Sequence, residues 1–217
     1  MPLDRRAALR SWSSFDRAGP ATRVFLLARL SIIPLDAMDE ELRSLRGRVL
    51  SVGCGHGLVE RYLAEINPNV EVVGAELDAD RVELVSASQY RYPRVVVEHG
   101  DARDLAGYGD FDAVMAVDVL HHVEYDEQAG VAAAMAGAIR PGGMCLVKDM
   151  DVRPAWKYHW NRTHDRIVAH QWVNCRTPED MARLFERTGL VAERVERVDR
   201  SYGPYPQYVL RFRKPAA

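Results

Sequence analysis

The stretch that decides the fold is VLSVGCGHGLVE, from Val49 to Glu60, where an apolar run gives way to three glycines at alternate positions. Glycine loses more backbone entropy on folding than other residues, so three within five positions indicate that backbone must come close to something. The run before Gly53 has the character of a buried strand, and the residues after Gly57 have that of a helix. The stretch therefore predicts a strand, a tight loop and a helix, with the loop backbone held near another group.

The same alternation of strand and helix patterns continues along the chain. Helix-like segments separate five short apolar runs, RVLSV, VEVVGAE, RVVVEHG, FDAVMAVDVL and MCLVKDM, the last of which follows a predicted turn at RPGG. Val-rich strands that alternate with helices are typical of a parallel sheet covered on both faces. Two further strands, near Val191–Val198 and at QYVLRFR, are separated by too few residues for a crossover helix and should pair antiparallel.

Two segments depart from this alternation. Residues up to about Arg46 have helical patterns with no strand, and Asp151 to Val173 is a polar and aromatic interruption. We therefore divide the chain into an N-terminal helical segment, residues 1–46, and an α/β domain, residues 47–217, with a cap insertion at about residues 151–176.

The composition is that of a soluble globular protein, with 47% hydrophobic and 28% charged residues among 217. A net charge of −2 gives no general attraction to nucleic acid or to an anionic membrane. Three cysteines, Cys54, Cys145 and Cys175, occur without CxxC spacing. So few cysteines, in an odd number, fit a reducing compartment, and we expect a cytoplasmic protein.

An apolar stretch near the N-terminus, TRVFLLARLSIIPL, is too short to span a bilayer and is interrupted by Arg29. It has no small-residue cleavage site, so we expect neither a secretory signal nor a transmembrane segment. The pattern predicts an amphipathic helix that packs on the domain. The alternative is a lid that helps to close a pocket for an apolar ligand.

The glycine spacing argues against a dinucleotide site. The dinucleotide fingerprint is G-x-G-x-x-G/A, whereas Leu58 stands at the third small position here and Gly57 comes one residue early. The second strand ends in Glu76, nineteen residues after Gly57, where a carboxylate can accept hydrogen bonds from both hydroxyls of a ribose. Asp101 ends the third strand pattern, at the same edge, where it can accept a bond from an adenine amino group. Asp78 is predicted to cap the next helix.

Five stretches resemble, in order, the successive motifs of class I S-adenosylmethionine-dependent methyltransferases: VLSVGCGHG, VVGAELD, EHGDARDL, FDAVMAVDVLHHV and IRPGGMCLVKD. The match spans about half of the chain. The resemblance implies a Rossmann-like, doubly wound, mostly parallel seven-stranded sheet with an antiparallel last strand. The pattern of this chain adds helices before the sheet and a helical, aromatic cap insertion. It also implies S-adenosylmethionine as cofactor and methyl transfer to an acceptor.

Ten residues match the family positions that hold this cofactor. They lie in the loop under its amino-acid part, at the ribose acid, at the residue packed on the adenine, at the adenine edge, and in the loop that faces the methionine moiety. In that order they are Gly53, Cys54, Gly55 and Gly57; Glu76; Leu77; Asp101 and Ala102; and Val117 and Asp118. Glu76 stands where aspartate is more common, a change that should be tolerated.

Methyl transfer is an in-line displacement at an already activated methyl group, so the protein mainly aligns the acceptor and excludes water. A hydroxyl or amine acceptor must also lose a proton, and His121 and His122, directly after the fourth strand, are candidates for the base. We prefer His122; either histidine could instead cap or pack under the cofactor. Asp149 is a third catalytic candidate, and Lys148 and Asp151 are candidates for substrate binding, unless these three form a solvated ion-pair cluster.

The interruption contains the most distinctive sequence, RPAWKYHWNRTHDRIVAHQW. On a helix, Trp156, Trp160 and Ile167 fall on one stripe, with Lys157 and His164 along its edge. This stripe either covers an edge of the sheet or forms a cap over the acceptor pocket. We favour the cap, which makes Trp156, Lys157, Trp160 and His164 substrate-binding candidates.

A metal is not expected. Asp118, Asp149 and Asp151 could offer oxygen ligands to a divalent cation. Some small catechol methyltransferases of this fold use such acids, but the Asp-Asn pair that they carry after the fifth strand is missing here. The histidines of the interruption are five and six residues apart, which does not suit a zinc site on one helix face.

The function predicted is therefore S-adenosylmethionine-dependent methylation of a small aromatic or acyl molecule, with O-methylation favoured. A protein or nucleic-acid methyltransferase is an alternative, although there is no basic stripe with interleaved aromatic residues. A non-catalytic cofactor-binding module is another. The spacing of the glycines places a nicotinamide oxidoreductase last. The sequence does not decide between a monomer and a homodimer.

Overall fold

The seven strands lie along the chain in the order that the sequence patterns predict. The computed structural model describes residues 3–168, 172–198 and 203–216. The strands in these residues are β1 Gly47–Val52, β2 Val70–Glu76, β3 Val95–His99, β4 Phe111–Val117, β5 Ile139–Met150, β6 Val191–Val198 and β7 Gln207–Arg213. The helices are α1 Arg5–Ser13, α2 Pro20–Ile32, α3 Leu35–Ser44, α4 Leu58–Ile66, α5 Ala79–Ser86, α6 Gln128–Ala138, α7 Ala155–Val168 and α8 Pro178–Glu186.

The strands form one seven-stranded sheet in the order β3-β2-β1-β4-β5-β7-β6. Strands β1 to β5 are parallel, and β7 runs antiparallel between β5 and β6. The predicted doubly wound sheet and its antiparallel last strand are confirmed. The chain order reverses beside β1, whose neighbours are β2 and β4, and ligands of such sheets bind beyond the carboxyl ends of the strands at this point.

Alternate residues of β1 belong to two separate cores because successive side chains of a strand point to opposite faces. Val49 packs in one core with Leu42 of α3 and Tyr62 of α4, and Leu50 packs in the other, which includes Phe185 of α8. Both faces of the sheet are therefore covered by helices, which is why its strands are apolar along almost their whole length.

Two strand boundaries differ from the sequence pattern. The predicted turn RPGG, residues 140–143, lies inside β5, because Phe111 pairs with Ile139 and Ala113 with Met144, which leaves a bulge between them. Gly142 has a φ of 76°, which glycine adopts without strain. Strand β4 ends at Val117, three residues before the end of its apolar pattern, because Asp118 turns the chain with a φ of 58°.

The N-terminal segment is helical, as expected, and α2 lies over the carboxyl edge of the sheet. Leu26 is the buried residue of α2, whereas Val24 is 68% exposed and Leu27 is 43% exposed. Within the described residues, α2 and the other helices are all too short or too polar to cross a membrane. Division of the chain at residue 46 stays a prediction.

Candidate active site

A cavity of about 730 Å³ opens beyond the carboxyl ends of β1, β2, β3 and β4. Its walls come from the loops that follow these strands, from α2 on one side and from α7 on another. Sites for small ligands have volumes of roughly 300–1,000 Å³ and are common at this position in doubly wound sheets.

The glycine loop between β1 and α4 has a left-handed backbone at each glycine, with φ of 63° at Gly53, 59° at Gly55 and 70° at Gly57. A Cβ atom on Gly53 would lie 2.7 Å from Val119, whereas one on Gly55 would meet nothing within 4 Å. Gly53, Cys54 and Gly55 line the cavity, and Gly57 caps α4 behind it. The loop thus presents backbone, with open space above Gly55.

Glu76 ties this loop to the end of β2. Its side chain is buried, its Oε2 atom accepts a hydrogen bond from the Gly55 N–H at 2.7 Å, and its Oε1 atom accepts one from the Asp78 N–H at 3.0 Å. Leu77 next to it is 60% exposed and lines the cavity. The Asp78 carboxylate accepts hydrogen bonds from the backbone of the first turn of α5, so the predicted cap is confirmed.

Asp101 and Ala102 follow β3 and line the same cavity. The Asp101 carboxylate pairs with Arg103 at 2.7 Å, and hydrogen bonds from Arg103 hold the pKa of Asp101 below its ordinary value. Asp101 is therefore an ionised hydrogen-bond acceptor. Val117 and Asp118, at the end of β4, also line the cavity.

This donor and acceptor set suits S-adenosylmethionine. The space above Gly55 admits a ligand against the loop backbone, Glu76 offers a buried carboxylate, and Leu77 offers an apolar surface. The ten residues assigned from the motifs come together at this edge of the sheet, with Gly57 behind the cavity wall. Their individual roles stay predictions.

His121 and Asp149 form a buried pair at the wall beyond β4. The His121 Nδ1 atom makes a short hydrogen bond to the Asp149 carboxylate, which also accepts the His121 N–H at 3.1 Å and the Met150 N–H at 2.7 Å. A carboxylate at Nδ1 favours the Nδ1–H tautomer and makes Nε2 the basic nitrogen. Only His121 of the pair lines the cavity, so Asp149 can act on a ligand only by way of the His121 ring.

His122 differs from its neighbour in chemistry. Burial and the adjacent His121 ring, whose centroid is 4.1 Å away, lower the pKa of His122 to about 3. His122 is therefore neutral at pH 7, and its side chain is open to the cavity. A neutral imidazole can accept or donate a hydrogen bond but is a weak base.

An ion cluster joins the β4 and β5 ends to α2. The buried Asp118 carboxylate pairs closely with Lys148 and lies 3.2 Å from Arg29. Burial would raise the pKa of Asp118, but Lys148, Arg29 and His121 together lower it to about 2. Lys148 is fully buried beneath Asp118 and does not line the cavity, so the expectation that it contacts substrate is wrong.

Sequence reasoning missed Arg29 as a site residue, although its side chain lines the cavity. A signal was present, because Arg29 interrupts the apolar run from Val24 to Leu30 within α2. A cation in such a position has to find either solvent or a carboxylate. Here it finds Asp118.

Asp151 does not belong to this cavity. Its carboxylate is buried, pairs with Arg197 at 2.7 Å and accepts the Arg153 N–H at 3.2 Å. These residues line a separate, smaller cavity. The expectation that Asp151 binds substrate beside Lys148 is corrected, because its carboxylate pairs with Arg197 of β6.

The aromatic stripe of α7 faces solvent. Trp156 is 61% exposed, Trp160 is 54% exposed, and neither lines the cavity. The adjacent face of α7 is polar yet points inward, with Lys157 and Asn161 buried and with Asn161 and His164 on the cavity wall. The inner face of α7 is therefore the one that carries His164, and the tryptophans are not part of the cavity wall. That this segment covers the acceptor stays a prediction.

One set of side chains could offer ligands to a metal. Among the described residues, donor atoms of Asp118, His121 and Asp149 lie within 4.8 Å of one another. Lys148 and Arg29 already neutralise Asp118, and Asp149 holds the imidazole of His121. A cation would have to displace these partners, and a site without metal stays the prediction.

Comparison with known proteins decides the family. A family model described as a methyltransferase domain matches residues 26–195, more than three quarters of the chain. The chain belongs to the class I S-adenosylmethionine-dependent methyltransferases. The fold and the cofactor that the motifs implied are both confirmed by this membership.

Relatives of this methyltransferase include named O-methyltransferases. The ubiquinone biosynthesis O-methyltransferase of Aromatoleum aromaticum is 26% identical over 83% of this chain and 79% of its own length. That of Xanthomonas axonopodis pv. citri is 31% identical over 70% of this chain, which spans only 62% of the relative. Among solved structures, an O-methyltransferase family protein from Burkholderia thailandensis superposes with a TM-score of 0.69 at 18% identity, over 98% of this chain and 71% of that one.

Proposed function

We propose that this protein transfers the methyl group of S-adenosylmethionine to a hydroxyl oxygen of a small aromatic or acyl molecule. One observation from the relatives supports an oxygen acceptor, and the size of the cavity supports a small molecule. The relatives from Aromatoleum and Xanthomonas are named as O-methyltransferases of ubiquinone biosynthesis. The cavity of about 730 Å³ has α2 and α7 in its walls and has the volume of a small-ligand site.

The observation that carries the proposal is the pairing of His121 with Asp149 at the cavity wall. Bound S-adenosylmethionine supplies an electrophilic methyl group. The Asp149 carboxylate holds the proton on Nδ1 of His121, so that Nε2 can take the proton that a hydroxyl acceptor loses. As this proton arrives, the carboxylate stabilises the imidazolium, in the manner of a nucleophile–histidine–acid arrangement.

Other residues of the wall have supporting roles in this proposal. Neutral His122 offers a hydrogen bond beside the base and helps to orient the acceptor, which reverses the order in which the two histidines were first ranked. Phe25 and Leu26 of α2 and Met150 at the end of β5 form apolar surface on the cavity wall. Such surface excludes water from the reacting atoms and accommodates an aromatic or acyl body.

The test is methyl transfer from labelled S-adenosylmethionine to a panel of catechols, phenols, hydroxy-acyl compounds, amines and thiols, with S-adenosylhomocysteine quantified by mass spectrometry. We expect turnover with a hydroxyl acceptor. His121→Asn should lower kcat by about 10²–10⁴-fold, because the proton acceptor is lost, with cofactor affinity within about twofold of the original. Asp149→Asn should also lower kcat and should shift its pH profile, because an amide no longer stabilises the imidazolium.

Three outcomes would contradict the proposal. Preferred methylation of amines would move the acceptor to nitrogen, and a loss of turnover in His122→Asn but not in His121→Asn would move the base. Cofactor binding without turnover on any acceptor of the panel would favour a non-catalytic module. Circular dichroism of each variant establishes that the fold is retained.

A further inference from the structure

The floor of the cavity contains a carboxyl group that the proposed reaction does not use. Glu60 lies in the first turn of α4, three residues after Gly57, and lines the cavity although it is only 2% exposed. Its Oε1 atom accepts a hydrogen bond from the Ser51 hydroxyl at 2.5 Å. Its Oε2 atom is buried and accepts no hydrogen bond from any of the described residues.

Such an arrangement is costly unless a ligand completes it. A buried carboxylate oxygen without a partner forgoes its hydration, and the group escapes this cost either by taking up a proton or by meeting a cation. Ser51 donates one hydrogen bond from the strand below, which leaves the cavity as the direction from which a second partner can come. Glu60 therefore has the properties of a binding group rather than of a packing residue.

The position of Glu60 indicates which part of the cofactor it meets. Ser51 and Glu60 flank the glycine loop on its two sides, and this loop matches the family segment that passes under the amino-acid part of S-adenosylmethionine. That part carries an ammonium group, which needs a carboxylate or several carbonyl oxygens when it leaves water. The ribose and the adenine, at Glu76 and Asp101, carry no such cation.

We propose that Glu60 binds the α-ammonium group of the cofactor's amino-acid part, and that it loses a proton when the cofactor binds. The inference rests on the cofactor of this family and not on the identity of the acceptor. Burial raises the pKa of Glu60 to about 7, against the opposing hydrogen bond from Ser51. A bound ammonium favours the carboxylate and lowers this pKa, so binding below pH 7 releases a proton.

The charged and titratable groups around Glu60 bear on the direction of this effect. They come from β2, α2, the glycine loop and α4 itself and are Glu76, Arg29, Cys54 and Arg61. Glu76 raises the pKa of Glu60 and Arg29 lowers it. Burial raises the pKa of the Cys54 thiol, and Arg61 is held by Ser14 and Ser88, so neither titrates between pH 5.5 and 7.5.

The experiment is calorimetric titration of the full chain between pH 5.5 and 7.5, in buffers of different ionisation enthalpy. S-adenosylhomocysteine is the first ligand, because it has the ammonium but no sulfonium charge, and 5′-methylthioadenosine, which lacks the amino-acid part, is the second. The affinity for S-adenosylhomocysteine should rise about tenfold from pH 5.5 to 6.5, with up to one proton released, and should level off above about pH 7. The affinity for 5′-methylthioadenosine should be nearly constant.

Two variants separate binding from structure. Glu60→Gln should weaken S-adenosylhomocysteine binding at pH 7.5 by about tenfold or more and remove most of its pH dependence, whereas its affinity for 5′-methylthioadenosine stays within about twofold. Ser51→Ala keeps the carboxyl group but removes the hydrogen bond that stabilises its ionised form. Its pH dependence should therefore continue to a higher pH than in the original protein.

The proposal is overturned if Glu60→Gln retains the original pH dependence, or if both ligands show the same slope and proton release in the original protein. If Glu60→Gln does not fold, the comparison of the two ligands and the shift in Ser51→Ala still decide the question. An unshifted profile in Ser51→Ala contradicts the proposal. Because acceptors are absent, failure here leaves the proposed methyl transfer unaffected.

Discussion

The two walls of the cavity are built in different ways. The cofactor wall follows β1, β2 and β3. It consists of left-handed loop backbone and of carboxylates near the strand ends, among them Asp101 and Glu76, and Glu76 also accepts a hydrogen bond from a loop N–H. The opposite wall is built from side chains of α2 and α7, among them Arg29 and His164, which are more than 130 residues apart in the chain.

This difference indicates which part of the site can vary. Left-handed glycines and a buried acid hold the glycine loop in a single backbone conformation. A substitution in this loop therefore changes the surface against which the cofactor binds. A wall made of helix side chains can be altered one residue at a time without moving the strands. We therefore expect cofactor-wall variants to lose binding and helix-wall variants to change the acceptor.

The largest effect is expected from Gly55→Val. The valine side chain would occupy the space above the loop and would also strain a residue whose φ is 59°. S-adenosylmethionine affinity should fall by more than about 100-fold, roughly 3 kcal/mol, in calorimetric titration. Gly142→Val is the matched control, because Gly142 has a φ of 76° and open space around it but lies outside the cavity. Equal losses in both variants would mean that strain, not the cavity, explains the effect.

Glu76→Ala should have a smaller effect on the same equilibrium. The loss of the hydrogen bond from Gly55 and of the predicted hydrogen bonds from the ribose should weaken cofactor binding by about 1–3 kcal/mol, or about 5- to 150-fold. The exposed Glu71 on the same strand gives the control variant Glu71→Ala, which should bind the cofactor normally. Unchanged binding in Glu76→Ala would remove Glu76 from the cofactor wall.

The helix wall is tested by His164→Ala and Trp160→Ala. The His164 side chain lines the cavity, so its loss should raise the acceptor KM by about fivefold, near 1 kcal/mol, while cofactor affinity stays the same. Trp160 is 54% exposed outside the cavity, and its variant should have normal kinetics for both substrates. If instead Trp160→Ala raised the acceptor KM, the orientation of α7 described above would be wrong.

Chelation of metal ions is expected to have no effect on turnover. Because Asp118 is paired with Lys148 and Arg29, and Asp149 with His121, turnover should be unchanged after treatment with EDTA. The measurement is the rate of S-adenosylhomocysteine formation before chelation, after it and after addition of magnesium. A loss that magnesium restores would assign Asp118, His121 and Asp149 as metal ligands.

Much of the cofactor wall can be predicted from the sequence, because the patterns that indicate it involve residues close together in the chain. Strand and helix periodicity gives the order of elements, and three glycines next to an apolar strand place a backbone turn at one edge of the sheet. The spacing to Glu76 then follows from the length of one βαβ unit. Each of these inferences concerns residues that are near one another in the sequence, and for that reason the wall can be derived from it.

The helix wall depends on packing between distant segments. Periodicity identified the stripe of Trp156 and Trp160 on α7 but could not say which face of the helix turns inward. In the structure the inward face is the polar one, which carries the buried residues Lys157 and Asn161. The sequence likewise could not predict which residues pair with the buried charges. Asp118 with Arg29, His121 with Asp149 and Asp151 with Arg197 pair across separate elements, because a buried charge must find its opposite wherever the fold brings one.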